Sequence, residues 1–132
     1  MSRNVRRVIG TPLLAALLLG SLAVPALAAG SPFKGLWVSI DDDGSIQLLS
    51  VSSGAEPTVV YEDFYASVCP GPAPKHWVAA GNGEIAGNVL SVTFRKSGCG
   101  TFGAGGYTDW YAYDAGADTL TDSYGIVWSR AP

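Results

Sequence analysis

Across residues 89–96 apolar and polar side chains alternate: Leu90, Val92 and Phe94 interleave with Ser91, Thr93 and Arg95. A period of two is that of a half-buried β-strand, whose successive side chains point to opposite faces. Similar short runs follow one another from Gly35 onward, cut by turn residues at intervals of about ten, with no amphipathic helical stretch. The first runs are 35–40, closed by Asp41-Asp42-Asp43-Gly44, then 45–51 and 58–68. Cys69-Pro70-Gly71-Pro72 stops the third, and 75–80 reads as the fourth, followed by a Gly- and Asn-rich segment that turns at Gly87-Asn88. After 89–96, a glycine loop over 97–106 leads to 107–113, 118–123 and 126–130.

Connections this short favour antiparallel neighbours, so the expected architecture is all-β, an eight-strand antiparallel meander. Such a meander removes its exposed edges by closing into a small barrel. Leu36, Val38, Ile40, Leu90, Val92 and Phe94, with Trp37 and Trp128, supply enough bulk to fill it.

The segment before these runs is of another kind. Arg3, Arg6 and Arg7 precede an apolar stretch from Leu13 to Val24, and Pro25-Ala26-Leu27-Ala28 carries an A-x-A cleavage pattern. This is the pattern of a secretory signal peptide, removed after Ala28. The expected organisation is a leader over 1–28, a short segment over 29–34 and one barrel domain over 35–132. The protein is then secreted or extracytoplasmic. Arg6-Arg7 reads as two ordinary leader charges, since Val5 and Gly10 depart from the twin-arginine pattern.

The leader takes three arginines and no acid with it, which deepens a formal net charge of −3 by three further units. So acidic a domain lacks the massed Lys and Arg that nucleic acid requires. Nor does it offer a polybasic face for anionic membranes. Beyond the leader no apolar run nears the ~20 residues of a membrane-spanning helix, so no membrane insertion is expected.

Cys69 and Cys99 are the two cysteines. In an oxidising compartment they read as a disulfide. Closing a loop of roughly 30 residues stabilises a fold by about 3–4 kcal/mol. In the meander the third and fifth strands run the same way, which puts both sulfurs at one mouth of the barrel. A metal site needs more, because His76 is the only histidine and two thiols with one imidazole fall short of a structural zinc set. No cofactor motif is present.

Gly35-Leu36-Trp37 resembles the G-x-W that opens calycin barrels, the lipocalins, avidins and their relatives. Those barrels often carry a basic residue on the last strand that packs across the tryptophan, and Arg130 stands there, two residues after Trp128. The resemblance implies a closed barrel in which strand eight meets strand one, with Arg130 near Gly35 and Trp128 near Trp37. The guanidinium would then stack on an indole. The chain is also similar to small bacterial secreted proteins with a W…D-G-S start and a D-T-L-T-D-S-x-G-x-x-W end, here Asp43-Gly44-Ser45 and Asp118-Thr119-Leu120-Thr121-Asp122-Ser123-Tyr124-Gly125.

Candidate chemistry is sparse. The acidic turn offers Asp41 and Asp43 to a calcium ion, but Ser50 stands where a bidentate Glu is needed, so a solvated hairpin turn is expected. Glu62 and Asp63 are adjacent in a strand and face opposite ways. Asp118 and Asp122 share a face, read as a solvated edge. No G-x-S-x-G accompanies His76, and an enzyme is expected only if a carboxylate converges with that histidine in one pocket.

The aromatic residues carry more weight. Trp110 faces one way on its strand and Tyr111 and Tyr113 the other. With Trp77 they are the candidate ligand-binding residues, since exposed flat rings mark binding faces. The leading expectation is an exported binding module for a protein or polysaccharide partner, with inhibitor-like roles included. A carrier of a small apolar ligand is the alternative, and an interior cavity of ~300 Å3 or more favours it.

Overall fold

The computed structural model describes residues 30–72 and 75–132, so the leader proposed over 1–28 lies outside the described residues. Eight strands form one closed antiparallel barrel in chain order. They are β1 (Gly35–Ile40), β2 (Ile46–Val51), β3 (Thr58–Phe64), β4 (His76–Ala86), β5 (Val89–Cys99), β6 (Tyr107–Asp114), β7 (Thr119–Asp122) and β8 (Val127–Arg130). Among the described residues no helix is long and apolar enough to cross a membrane.

Leu90, Val92 and Phe94 face inward and are buried, while Ser91, Thr93 and Arg95 face solvent, as their alternation requires. On β1 the inward face is the opposite of the more apolar one. Trp37 and Ser39 are buried, whereas Leu36 and Ile40 are exposed and Val38 is half-buried on the outer wall. Ser39 earns its inward place through a bond across the seam, its hydroxyl donating to the Val127 carbonyl at 2.8 Å.

The glycine-rich stretch after Ala80 is strand rather than loop, and β4 runs on to Ala86 against β5. A bulge at Ala80/Gly81 shifts the register there. A Cβ on Gly81 would lie 2.1 Å from the Thr93 carbonyl oxygen, so β5 can approach β4 this closely only over a glycine. Conversely the third strand ends at Phe64 rather than Val68, because Tyr65 takes a left-handed φ of 71°. The loop after it folds back, with the Ala66 amide donating to the Lys75 carbonyl.

At the seam, β8 pairs with β1 through Trp37 opposite Arg130 and Val38 opposite Ser129. This is two residues along from the register that sets Arg130 beside Gly35 and Trp128 beside Trp37. The guanidinium still reaches Gly35, where an added Cβ would meet Arg130 Nη1 at 3.1 Å. Arg130 lies over the Trp37 ring, 4.2 Å from its centroid, and donates through Nη1 to the Lys34 carbonyl and through Nε to Asp118. Phe33, fully buried, fills this end, and its carbonyl accepts from Trp37 Nε1 at 2.8 Å. The end that holds the N-terminal segment is thereby plugged.

Cys69 and Cys99 form a disulfide with Cα atoms 5.6 Å apart. It ties the β3–β4 loop to the end of β5, at the mouth opposite the plug. A disulfide is consistent with an extracytoplasmic location.

Candidate functional site

The mouth opposite Phe33 is open, and a cavity of about 450 Å3 descends from it into the barrel. Trp128 and Tyr111, each 1% exposed, form its inner part, and Tyr61, Tyr107 and Trp77 line its walls. Asp41, Asp42, Val68 and Tyr124 stand toward the loops at its rim. The aromatic groups lock one another: Tyr61 meets Trp128 edge to face at 6.1 Å, Tyr111 does so at 6.0 Å, and Phe94 lies 4.7 Å from Tyr107. Small inward residues on β4, Ala79 and Gly83, leave room for these rings.

Beside the rings runs a polar chain. Gln47 on β2 and Asp63 on β3 are direct cross-strand partners, both buried. Gln47 Nε2 donates to the Tyr61 hydroxyl at 3.0 Å, and that hydroxyl donates to Asp63 Oδ2 at 3.4 Å. Each end of this chain keeps an acceptor without a donor, Gln47 Oε1 and Asp63 Oδ1. An unsatisfied buried polar group costs about 1–3 kcal/mol, so two in adjacent side chains are a substantial local deficit.

The electrostatics all have one sign. Among the described residues Asp41, Asp42, Asp63, Asp109 and Asp122 line the cavity, and no Lys or Arg does. Burial raises the Asp63 carboxyl above its ordinary range; the nearby Ser45 hydroxyl pulls it down, and the negative charges of Asp41 and Asp43 push it up. Burial also drives the phenols of Tyr61, Tyr107 and Tyr111 well above theirs, so all three stay neutral hydroxyls. Asp122 is not at a solvated edge. It is buried, accepts from Trp128 Nε1 at 3.0 Å, and takes the amides of Tyr124 and Ile126, which fixes the β7–β8 turn.

Of the four aromatic candidates, Trp77 and Tyr111 come together in this cavity. Trp110 and Tyr113 do not join them. Trp110 stands on the outer wall, and Tyr113 packs at the plugged end against Phe33 and Trp37, with ring centroids 5.9 and 6.4 Å away. Sequence reasoning passed over Gln47, Tyr61 and Tyr107, and weighed Asp63 only as a partner of Glu62. A signal was present for Gln47, Tyr61 and Asp63: Gln47 shares its parity with Leu49 and Val51, and Tyr61 and Asp63 share theirs with Val59.

His76 lies outside the barrel. It stacks on Phe64 at 4.6 Å and approaches Glu62 at 3.4 Å, an ion-pair distance without hydrogen-bond geometry. It does not converge with the cavity carboxylates. In the acidic turn Asp43 accepts from both the amide and the hydroxyl of Ser45, and the Asp41 carbonyl closes the turn onto the Gly44 amide. No protein-family model, curated protein or solved structure matches this chain.

Proposed function

We propose that this protein is an exported, calycin-like barrel that binds a small molecule in its open mouth. The observation that carries the reading is that this cavity of about 450 Å3 reaches the buried rings of Trp128 and Tyr111, whereas an outer-wall groove of equal volume is lined by Glu56, Glu84, Thr93 and Arg95. Its lining joins six aromatic and two aliphatic side chains to five carboxylates and one amide, an apolar wall with convergent polar groups. Export is supported by the leader pattern over 1–28 and by the Cys69–Cys99 bridge. Binding rather than catalysis is favoured because the sole histidine faces away from the cavity.

A second reading, a protein or polymer partner on the outer wall, is favoured by a separate observation. Leu36, Ile40, Ile46 and Val127 are exposed apolar side chains on β1, β2 and β8, and Ile40 and Ile46 are cross-strand neighbours. One experiment separates the two. A fragment library is screened by amide and indole chemical-shift mapping of the mature domain. Mouth binding moves the Trp77 and Trp128 indoles. Shifts confined to β1, β2 and β8 would instead support the outer wall.

A further inference from the structure

We infer that the mouth of the barrel selects a small primary amine in its protonated form, with an apolar body of about one ring. The inference rests on the small-molecule reading above and adds the ligand's chemistry. Two cross-strand side chains, Gln47 and Asp63, line the cavity and each keeps a buried acceptor oxygen without a donor. Both residues are more than nine-tenths buried. The tyrosine hydroxyls and the Trp77 indole of the lining leave these two oxygens unpaired, so at this one point of the wall the unmet need is for donors.

An ammonium group supplies three donors and no acceptor. It also carries the charge that this lining favours, since among the described residues the side chains facing the cavity bring carboxylates and no cation. A carboxylate or phosphate ligand meets the opposite field and presents further acceptors to acceptors. The tyrosine and tryptophan rings add the attraction of their faces for a cation and receive the ligand's apolar body. A quaternary ammonium keeps the charge but has no N–H, so it leaves Gln47 Oε1 and Asp63 Oδ1 unpaired. The site should therefore rank primary amine above trimethylated amine, which a purely aromatic cage would not do.

Calorimetric titration of the mature, disulfide-bonded protein tests this with four isosteres: 2-phenylethylamine, its N,N,N-trimethyl derivative, 2-phenylethanol and 3-phenylpropionate. The amine is expected to bind at least tenfold tighter than the alcohol and the trimethyl derivative, with the carboxylate weakest, and to shift the Trp77 and Trp128 indoles. In Asp63→Asn the preference of amine over alcohol collapses. Should that variant not fold, the unmodified protein serves. Asp63 faces Gln47 on β2, Tyr61 on its own strand, Trp77 on β4 and Tyr107 on β6, with Asp41, Asp43 and the Ser45 hydroxyl in the nearby turn. Lowering the pH through its titration must weaken the amine and spare the alcohol. Equal binding of amine and alcohol in the mouth would overturn the amine assignment and leave the small-molecule reading standing. No binding by any of the four, or shifts only on the outer wall, would overturn both.

Discussion

Arg130 lies across Trp37, its guanidinium carbon 4.2 Å from the ring centroid, although the two residues stand at opposite ends of the described chain. The contact closes the barrel, since these residues are also cross-strand partners at the β1–β8 seam. The same guanidinium holds the N-terminal segment through the Lys34 carbonyl and the β6–β7 turn through Asp118. Three separate pieces of chain meet on one planar cation.

Replacing Arg130 by alanine should destabilise the domain by roughly 1–3 kcal/mol, from the lost charge-assisted hydrogen bonds and cation–ring contact. Arg130→Lys should recover only part of this, because an ammonium cannot stack flat and donate in three directions at once. Urea unfolding midpoints of the three proteins measure the order.

The pH dependence has two limbs of opposite sign. The hydrogen bond from Arg130 holds the Asp118 carboxyl below its ordinary range. The stability it contributes is present above the ordinary carboxylate value and is lost as pH falls through the depressed one. Asp63 is raised, so its contribution is complete below the ordinary value and is lost as pH rises through its folded pKa. Asp118→Asn should flatten the loss on the acid side, and Asp63→Asn the loss on the rising side. Denaturant midpoints across the acid range read both slopes.

Gly81→Ala should cost about 1–3 kcal/mol by overpacking, because the new methyl meets the Thr93 carbonyl and the Phe94 Cα, neither of which can rotate away. Gly83→Ala should cost less. Its nearest neighbour is the end of the Leu90 side chain, which can shift. Thermal unfolding of the two variants tests the ranking.

These glycines also mark where the sequence misleads. A run such as Gly81-Asn82-Gly83 has low strand propensity and reads as a turn, but packing against Leu90 and Thr93 makes it strand. The alternation of Leu90, Val92 and Phe94 could be read directly, because only one of its faces is apolar. On β1 both faces carry bulk, and pattern alone counts Leu36, Val38 and Ile40 inward along with Trp37, which alternation does not allow. The bond from the Ser39 hydroxyl to the Val127 carbonyl, on the last strand, satisfies the inward serine and is invisible locally. The disulfide could be placed at one mouth from strand directions. The cavity could not, because Gln47, Asp63, Trp77, Tyr107 and Trp128 come from five strands and meet only when the barrel closes.

Reducing the Cys69–Cys99 bridge should cost roughly 2–4 kcal/mol, since it releases a loop of about 30 residues in the unfolded chain. It should also loosen the β3–β4 loop, whose Val68 stands at the cavity rim. Unfolding with and without reductant gives the first. Affinity for 2-phenylethylamine in the double Cys→Ser variant gives the second, expected to be weaker by several-fold.

A crystal structure of the barrel domain with 2-phenylethylamine tests the site most directly. The ammonium nitrogen is expected within hydrogen-bond distance of Gln47 Oε1 and Asp63 Oδ1, with the phenyl ring among Tyr61, Tyr107 and Trp128. Water on both oxygens at saturating amine, or the amine seated on the outer wall beside Ile40, would contradict it.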